Sequence, residues 1–361
     1  MILKSIELTD YRNYDHLSLS FDKGTNIFYG DNAQGKTNIL EAIYIAATTK
    51  SHKGSRDNEI VRFGKEEAHV RTIVEKDGIP TKVDMHLRSS KSKGIAIDGN
   101  RIKKAAELMG ICKVVFFSPE DLNIVKNGPT YRRRFIDMEL CQLDQFYLYN
   151  LNNYNKILNR RNQVLKDIGF DRSLEDSLNV WDDQLVSYGT KIIERRTKFA
   201  RELEEQIKDV HAKLSGGREE ISIIYEPSVL EEDFEKKLKD SRTRDIRSKM
   251  TNLGPHRDDF CFTAGEIDIR KFGSQGQQRT AALSLKLSEI DMMKKLSGDN
   301  PVLLLDDVLS ELDRKRQGFL LDCIGDIQTF ITCTGIDDFV NDRFVMNRVF
   351  YVENGTVKQM S

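Results

Sequence analysis

Cysteine, proline and tryptophan are scarce in this chain of 361 residues: five, six and one. Cys112, Cys141, Cys261, Cys323 and Cys333 stand far apart and form no C-x-x-C pair or His/Cys cluster. That spacing excludes a thiolate metal site and a disulfide framework, and each cysteine is expected to be a reduced, mostly buried small side chain. Long apolar runs are also missing. Nowhere do eighteen apolar residues follow one another, and the opening Met1-Ile2-Leu3-Lys4 soon meets an acid at Glu7. The chain is therefore expected to be soluble and cytoplasmic, neither exported nor membrane-spanning. Net charge is almost absent too, at −1, although 31% of the residues are charged. No global basic field draws in nucleic acid, so any such contact must come from local patches. There is no internal repeat, and the length suits two or three domains rather than one core.

What is present is organised around Asn26-Ile27-Phe28-Tyr29, then Gly30-Asp31-Asn32-Ala33-Gln34-Gly35-Lys36-Thr37, then an apolar-rich segment from Asn38. This reads as a strand, a glycine-bounded loop and a helix. The loop fits G-x-x-x-x-G-K-[ST], in which backbone N–H groups cradle phosphates, the lysine reaches the terminal phosphates and the threonine hydroxyl ligates Mg²⁺. Gly30 and Gly35 supply unusual φ angles, and a helix starting near Lys36 points its positive end at the anion. The four fixed positions coincide by chance in roughly one chain in a hundred of this length.

Before the loop, Ile6 and Leu8, then Leu17, Leu19 and Phe21, alternate with polar residues and predict antiparallel strands. Tyr11-Arg12-Asn13-Tyr14 between them is either a turn that reaches the nucleotide or a plain surface turn. Asp77-Gly78 and Asp98-Gly99 are hairpin signals, and Val114-Val115-Phe116-Phe117 is a buried strand stopped by Pro119. From Asp121 to about Met250 charged helix formers take over. One helix is expected from Tyr131 to Ile168. A second carries Leu178, Trp181, Leu185, Ile192, Phe199, Leu203, Ile207, Val210 and Leu214 up to Gly216. Together they predict an antiparallel, coiled-coil-like arm. Composition thus divides the chain into 1–120, an N-terminal lobe with the phosphate loop; 121–252, a helical insertion; and 253–361, a C-terminal lobe.

Val302-Leu303-Leu304-Leu305-Asp306-Asp307 is a buried parallel-type strand ending in two acids. Ligands of open α/β sheets lie beyond the carboxyl ends of strands, so Asp306 is expected beside the phosphate loop as a Mg²⁺ partner with Thr37. Asp307 is placed to orient or deprotonate an attacking water. Upstream, Ser274-Gln275-Gly276-Gln277-Gln278-Arg279 resembles the signature of ATP-binding-cassette ATPases, where a serine and a helix N-terminus bind the γ-phosphate held by the other subunit. Ser310-Glu311-Leu312-Asp313 completes the order.

The wide separation of Thr37 from Asp306 resembles the split cassettes of SMC-like ATPases, with an arm too short for SMC proteins themselves. The landmarks Tyr11 to Tyr14, Gly30 to Thr37, Phe117-Ser118-Pro119-Glu120-Asp121, Arg132-Arg133-Arg134-Phe135-Ile136-Asp137, Gly254-Pro255-His256-Arg257-Asp258-Asp259 and Ser274 to Arg279 resemble the RecF family from end to end. The resemblance implies an α/β fold, an ABC-type P-loop ATPase head with a mixed sheet and an inserted helical arm. It implies ATP and Mg²⁺ as cofactors, and an ATP-dependent head-to-tail homodimer. ATP would be held by Gly30, Asp31, Asn32, Ala33, Gln34, Gly35, Lys36 and Thr37 of one subunit and by Ser274 and Gly276 of the other. Lys36, Asp307 and Ser274 would be the catalytic groups. It further implies DNA binding at single-strand gaps, action with RecO and RecR to help RecA load, a link to replication and the SOS response, and slow hydrolysis as a release timer. The chain departs from transporters in lacking a histidine after Phe330-Ile331-Thr332-Cys333-Thr334, where Thr332 or Thr334 stands in for that sensor.

DNA-contact candidates are Lys50, Lys53 and Arg56, then Lys91 and Lys93, and the arm pairs Arg160-Arg161 and Arg195-Arg196. Arg132-Arg133-Arg134 is a candidate to hold the arm to the body, and His256-Arg257 to shape a turn beside the nucleotide. Two other functions fit the motifs: an architectural SMC-like clamp, and the ATPase subunit of a nuclease complex.

Overall fold

A computed structural model describes residues 1–335 and 346–360. Its contacts fall into two units, Met1–Asp121 with Glu289–Ser361, and Leu122–Ser288. In chain order the first unit holds β1 (Ile2–Tyr11), β2 (Tyr14–Ser20), β3 (Thr25–Tyr29), α1 (Lys36–Thr48), α2 (Asp57–Ile60), β4 (Glu67–Lys76), β5 (Ile79–Arg88), β6 (Gly94–Ile97), β7 (Asn100–Arg101) and β8 (Val114–Phe117). The second holds α3 (Leu122–Lys126), α4 (Pro129–Leu143), α5 (Gln145–Asp167), α6 (Leu178–Ser215), β9 (Ile221–Glu226), α7 (Phe234–Asp240), α8 (Arg242–Ser248), β10 (Asp259–Ala264), β11 (Ile267–Asp268) and α9 (Ile269–Phe272). α10 (Gln275–Ser297) crosses the boundary, and the chain returns to the first unit with β12 (Val302–Asp306), α11 (Arg314–Ile324), β13 (Thr329–Cys333), β14 (Met346–Glu353) and β15 (Thr356–Gln359).

The first unit has two sheets. One is antiparallel, in the order β2-β1-β4-β5-β6-β7. The other is mixed, in the order β15-β14-β3-β13-β12-β8, with all pairings parallel except β14 with β15. Helix α1 packs against β4 of the first sheet and β8, β12 and β13 of the second. It is buried from Ile39 to Thr48, which explains why its apolar residues surround the axis instead of forming a stripe. Both hairpin signals are type I′-like turns, with positive φ at Asp77 and Gly78 and again at Asp98 and Gly99.

In the second unit α5 and α6 pair antiparallel, with Arg161 meeting Asp182 toward one end and Tyr147 meeting Arg196 toward the other. The helix expected from Tyr131 to Ile168 is broken at Asp144. This residue is extended at φ −139°, and its carboxylate accepts from Tyr147 N–H at 3.0 Å, making it the N-cap of α5. The member facing α6 therefore has 23 residues rather than the expected run, on the order of 35 Å. Gly189 admits a neighbour: a Cβ there would lie 2.4 Å from the Phe234 ring. Residues 253–288 belong to this unit because β10 pairs along its length with β9.

Candidate nucleotide site and its relatives

β3 lies between β13 and β14, and its carboxyl end delivers the chain into the loop from Gly30 to Gly35. Gly30 has φ +146° and a Cβ there would stand 2.3 Å from Val352 O; Gly35 has φ +118° and a Cβ would stand 2.5 Å from Asn13 Nδ2. No other residue type fits either place. Asp31, Asn32 and Ala33 form the exposed lip. Gly35 is the N-cap of α1, no side chain caps that end, and no acid sits in the first turn. The amide groups there are left to an anion from outside.

Lys36 is 4% exposed, and its Nζ donates to Gly30 O at 2.7 Å and Asp31 O at 2.8 Å. These carbonyls orient the ammonium without neutralising it. Among the described residues the partners of this buried cation are dipoles and no carboxylate, which fits the triphosphate expected there. Thr37 Oγ1 donates to Asp306 Oδ1 at 2.7 Å, so a strand and a helix 269 positions apart in sequence meet as the expected Mg²⁺ pair. Burial raises the Asp306 carboxyl above its ordinary range, against hydrogen bonds from Thr37 and Thr332 that lower it.

Thr332 is a residue whose role the sequence left open. Its hydroxyl donates to Asp306 Oδ1 at 2.8 Å and accepts from Asp307 N–H at 2.9 Å. It fixes the kink between the two acids, where Asp307 has φ +53°. Thr334, two residues on, is exposed, so of the two sensor candidates only Thr334 is uncommitted to this triad.

The Tyr11 to Tyr14 turn is neither a plain surface turn nor a base-stacking platform, because both tyrosines are fully buried. It braces the loop: Asn13 Nδ2 donates to Gln34 O at 2.9 Å, and Tyr14 OH to Gly35 O at 3.0 Å. From the other side Asn354 N–H donates to Gln34 Oε1 at 2.7 Å. Arg12 turns away and donates twice to the buried carboxylate of Glu41, at 2.8 Å each, while Ser51 Oγ donates at 2.6 Å. Burial raises the Glu41 carboxyl, but these hydrogen bonds outweigh it and hold the group below its usual range.

The signature residues lie in the second unit. Ser274 and Gly276 are exposed at the start of α10. Ser274 Oγ accepts from Gln277 N–H at 3.2 Å and Gln277 Oε1 accepts from Ser274 N–H at 2.8 Å, a reciprocal capping box. Glu219 holds Gln277 from behind at 2.9 Å.

Two of the arm arginines are not DNA contacts. Arg161 is fully buried and donates to Asp182 at 2.6 Å, to Asp245 at 2.7 Å and to Thr251 at 2.8 Å. Arg196 is likewise buried on Asp137, Asp258, Tyr147 and Pro255 O. Arg195 pairs with Asp144 at 3.1 Å, which leaves Arg160 as the exposed member. Arg132 clamps Asp259 with two bonds, at 2.6 and 2.9 Å, and so ties α4 to β10. His256 packs with α5: Tyr154 OH donates to Nδ1 at 2.7 Å, and Nε2–H donates to Thr251 O at 3.0 Å. That assignment follows because a carbonyl only accepts. Burial lowers its pKa to about 4.

Comparison with known proteins agrees with this arrangement. The family model for the RecF/RecN/SMC N terminal domain matches residues 2–358. The DNA replication and repair protein RecF of Lachnoclostridium phytofermentans is 59% identical over 359 residues, covering 99% of this chain and 100% of the relative. The chain belongs to the RecF family. RecF of Clostridium perfringens is 44% identical over 99% of this chain and 100% of its own length. A RecF solved with ATP, described as a recombination mediator protein of the RecFOR pathway, superposes with a TM-score of 0.92 at 36% identity, covering 99% of this chain and 97% of that one. An Smc head bound to the C-terminal winged-helix domain of ScpA shares the fold, with a TM-score of 0.57 at 17% identity over 100% of this chain and 97% of that one. RecF is thus an ABC-type ATPase family with an SMC-like head. Among the described residues no helix is long and apolar enough to cross a membrane.

Proposed function

We propose that this chain is an ATP-driven DNA-binding switch of recombinational repair and replication. The observation that carries the reading is the buried Lys36 ammonium, held by two carbonyls beneath an uncapped helix end and next to the Thr37–Asp306 pair. In this reading Lys36 and the loop amides bind the terminal phosphates of ATP. Thr37 and Asp306 hold Mg²⁺, which when bound offsets phosphate charge. Asp307, pinned by Thr332, orients the attacking water. Ser274 and Gly276 of a second copy close over the γ-phosphate, so ATP makes the dimer and slow hydrolysis releases it. The dimer binds DNA at single-strand gaps and acts with RecO and RecR to promote RecA loading and SOS induction. Support for the DNA and pathway side comes from membership of the RecF family.

The test is sedimentation of wild type and Ser274→Arg, with and without ATP, plus gapped DNA. Wild type should become dimeric with ATP, and the variant should stay monomeric while still binding nucleotide. Lys36→Arg should bind ATP equally or more weakly and hydrolyse none. Equal dimerisation of wild type and Ser274→Arg would refute the shared-nucleotide reading.

A further inference from the structure

Two basic segments of the first unit, far apart in the chain, are joined in space by one side chain. Lys93 Nζ donates to Thr49 O at 2.7 Å, just after α1, and to Asp57 Oδ1 at 2.8 Å, at the start of α2. The loop with Lys50, Lys53 and Arg56 is thereby clasped to the loop between β5 and β6, which carries Lys91. β7 extends this edge: Arg101 stands opposite Ala96, and Ile102 N–H donates to Ile95 O at 3.0 Å. Lys103 therefore emerges at the end of the hairpin where Lys91 and Lys93 lie.

Lys50, Lys53, Arg56, Lys91, Arg101 and Lys103 are all exposed. The acids nearby are already engaged: Asp57 with Lys93, and Glu59 with the Arg56 N–H at 2.8 Å. In a chain of net charge −1, six exposed cations are thus gathered along one edge. Such a cluster repels itself unless a polyanion lies across it.

We infer that this joined edge, from the loop after α1 to β7, is where the DNA phosphate backbone runs; the inference rests on the DNA-binding reading above. The ring between Lys50 and Lys53, His52, is stacked on Phe116, and beside the six exposed cations the amide of Asn100 is a minor presence, so contact is mainly to phosphates and largely independent of sequence. Lys93 is the positioning residue that keeps the two segments in one track.

The experiment titrates wild type and Lys91→Gln/Arg101→Gln/Lys103→Gln, each with ATP, against a gapped duplex over a series of salt concentrations. Lys53 is left unchanged because its charge also acts on Asp306. Loss of three phosphate contacts should make the slope of log K against log salt shallower by about 3 and weaken binding on the order of 10²-fold near 0.1 M salt. ATP affinity should be unchanged. A triple variant that binds ATP normally and keeps the wild-type slope and affinity for DNA overturns the inference and leaves the DNA-binding reading standing. Wild type that binds no DNA with ATP overturns both. Lysine acetylation of the wild-type protein needs no variant: DNA should protect Lys91 and Lys103, and equal modification with and without DNA overturns the edge.

Discussion

Replacing Thr332 by valine keeps the side-chain shape and removes one hydroxyl, which makes it a direct test of how the two acids are held. The hydroxyl donates to Asp306 and accepts from Asp307 N–H. Without it that N–H, on a residue at φ +53°, loses its partner beside a side chain only 1% exposed. Leaving such a donor unpaired costs about 1–3 kcal/mol. For a unit of this size that lowers the melting temperature by on the order of 5 °C. The functional consequence has a definite sign. Burial raises the Asp306 carboxyl, and the Thr37 and Thr332 hydrogen bonds oppose that rise. Removing one of them raises it further, so the proton is held at higher pH. Mg²⁺-dependent binding of a fluorescent ATP analogue, measured as pH falls, should therefore fail at higher pH in Thr332→Val than in wild type. Asp306→Asn should remove this acid-sensitive step. Coincident acid limbs in wild type and Thr332→Val would refute the reasoning, as would a full acid limb in Asp306→Asn.

Arg12→Met strands the carboxylate of Glu41, which is 0% exposed, and should cost about 3–5 kcal/mol in denaturant unfolding, whereas Arg12→Met/Glu41→Met should recover most of it. His256 is held neutral with a pKa of about 4, below its unfolded value, so its contribution is complete above about pH 6.5 and is lost as pH falls toward 4. Stability should drop by about 3 kcal/mol across that window, and urea midpoints for His256→Gln should show a flatter profile there; an unchanged profile would count against the assignment.

The parts of the fold legible in the sequence are those where one local rule governs. Glycines bound the phosphate loop because its backbone requires them, and Val302 to Leu305 is apolar throughout because β12 is buried on both faces between β8 and β13. The period of α6 was equally plain at Leu185, Ile192 and Phe199. The row Asp182, Gly189 and Arg196 is buried on the same helix and was hidden, because a charged residue reads as solvated until its partners are known. Arg161 and Arg196 find those partners on segments far away in the chain, which periodicity cannot show. The role of the Tyr11 to Tyr14 turn is hidden for the same reason: its contacts, Gln34, Gly35 and Glu41, are set by the pairing of whole sheets. The break at Asp144 did carry a signal, an acid three residues before Tyr147 acting as a cap, but the apolar period runs through it and masked it.

β14 lies beside β3, and the turn after it touches Gln34 through Asn354 and, at 3.3 Å, through Gly355. One wall of the cradle is thus supplied by residues 320 positions downstream of the loop. During synthesis on a ribosome the loop from Gly30 to Thr37 is therefore made well before the β14–β15 turn that braces it. A chain that stops before Asn354 keeps the bracing from Asn13 and Tyr14 and loses the two donors to Gln34, so its loop is held from one side.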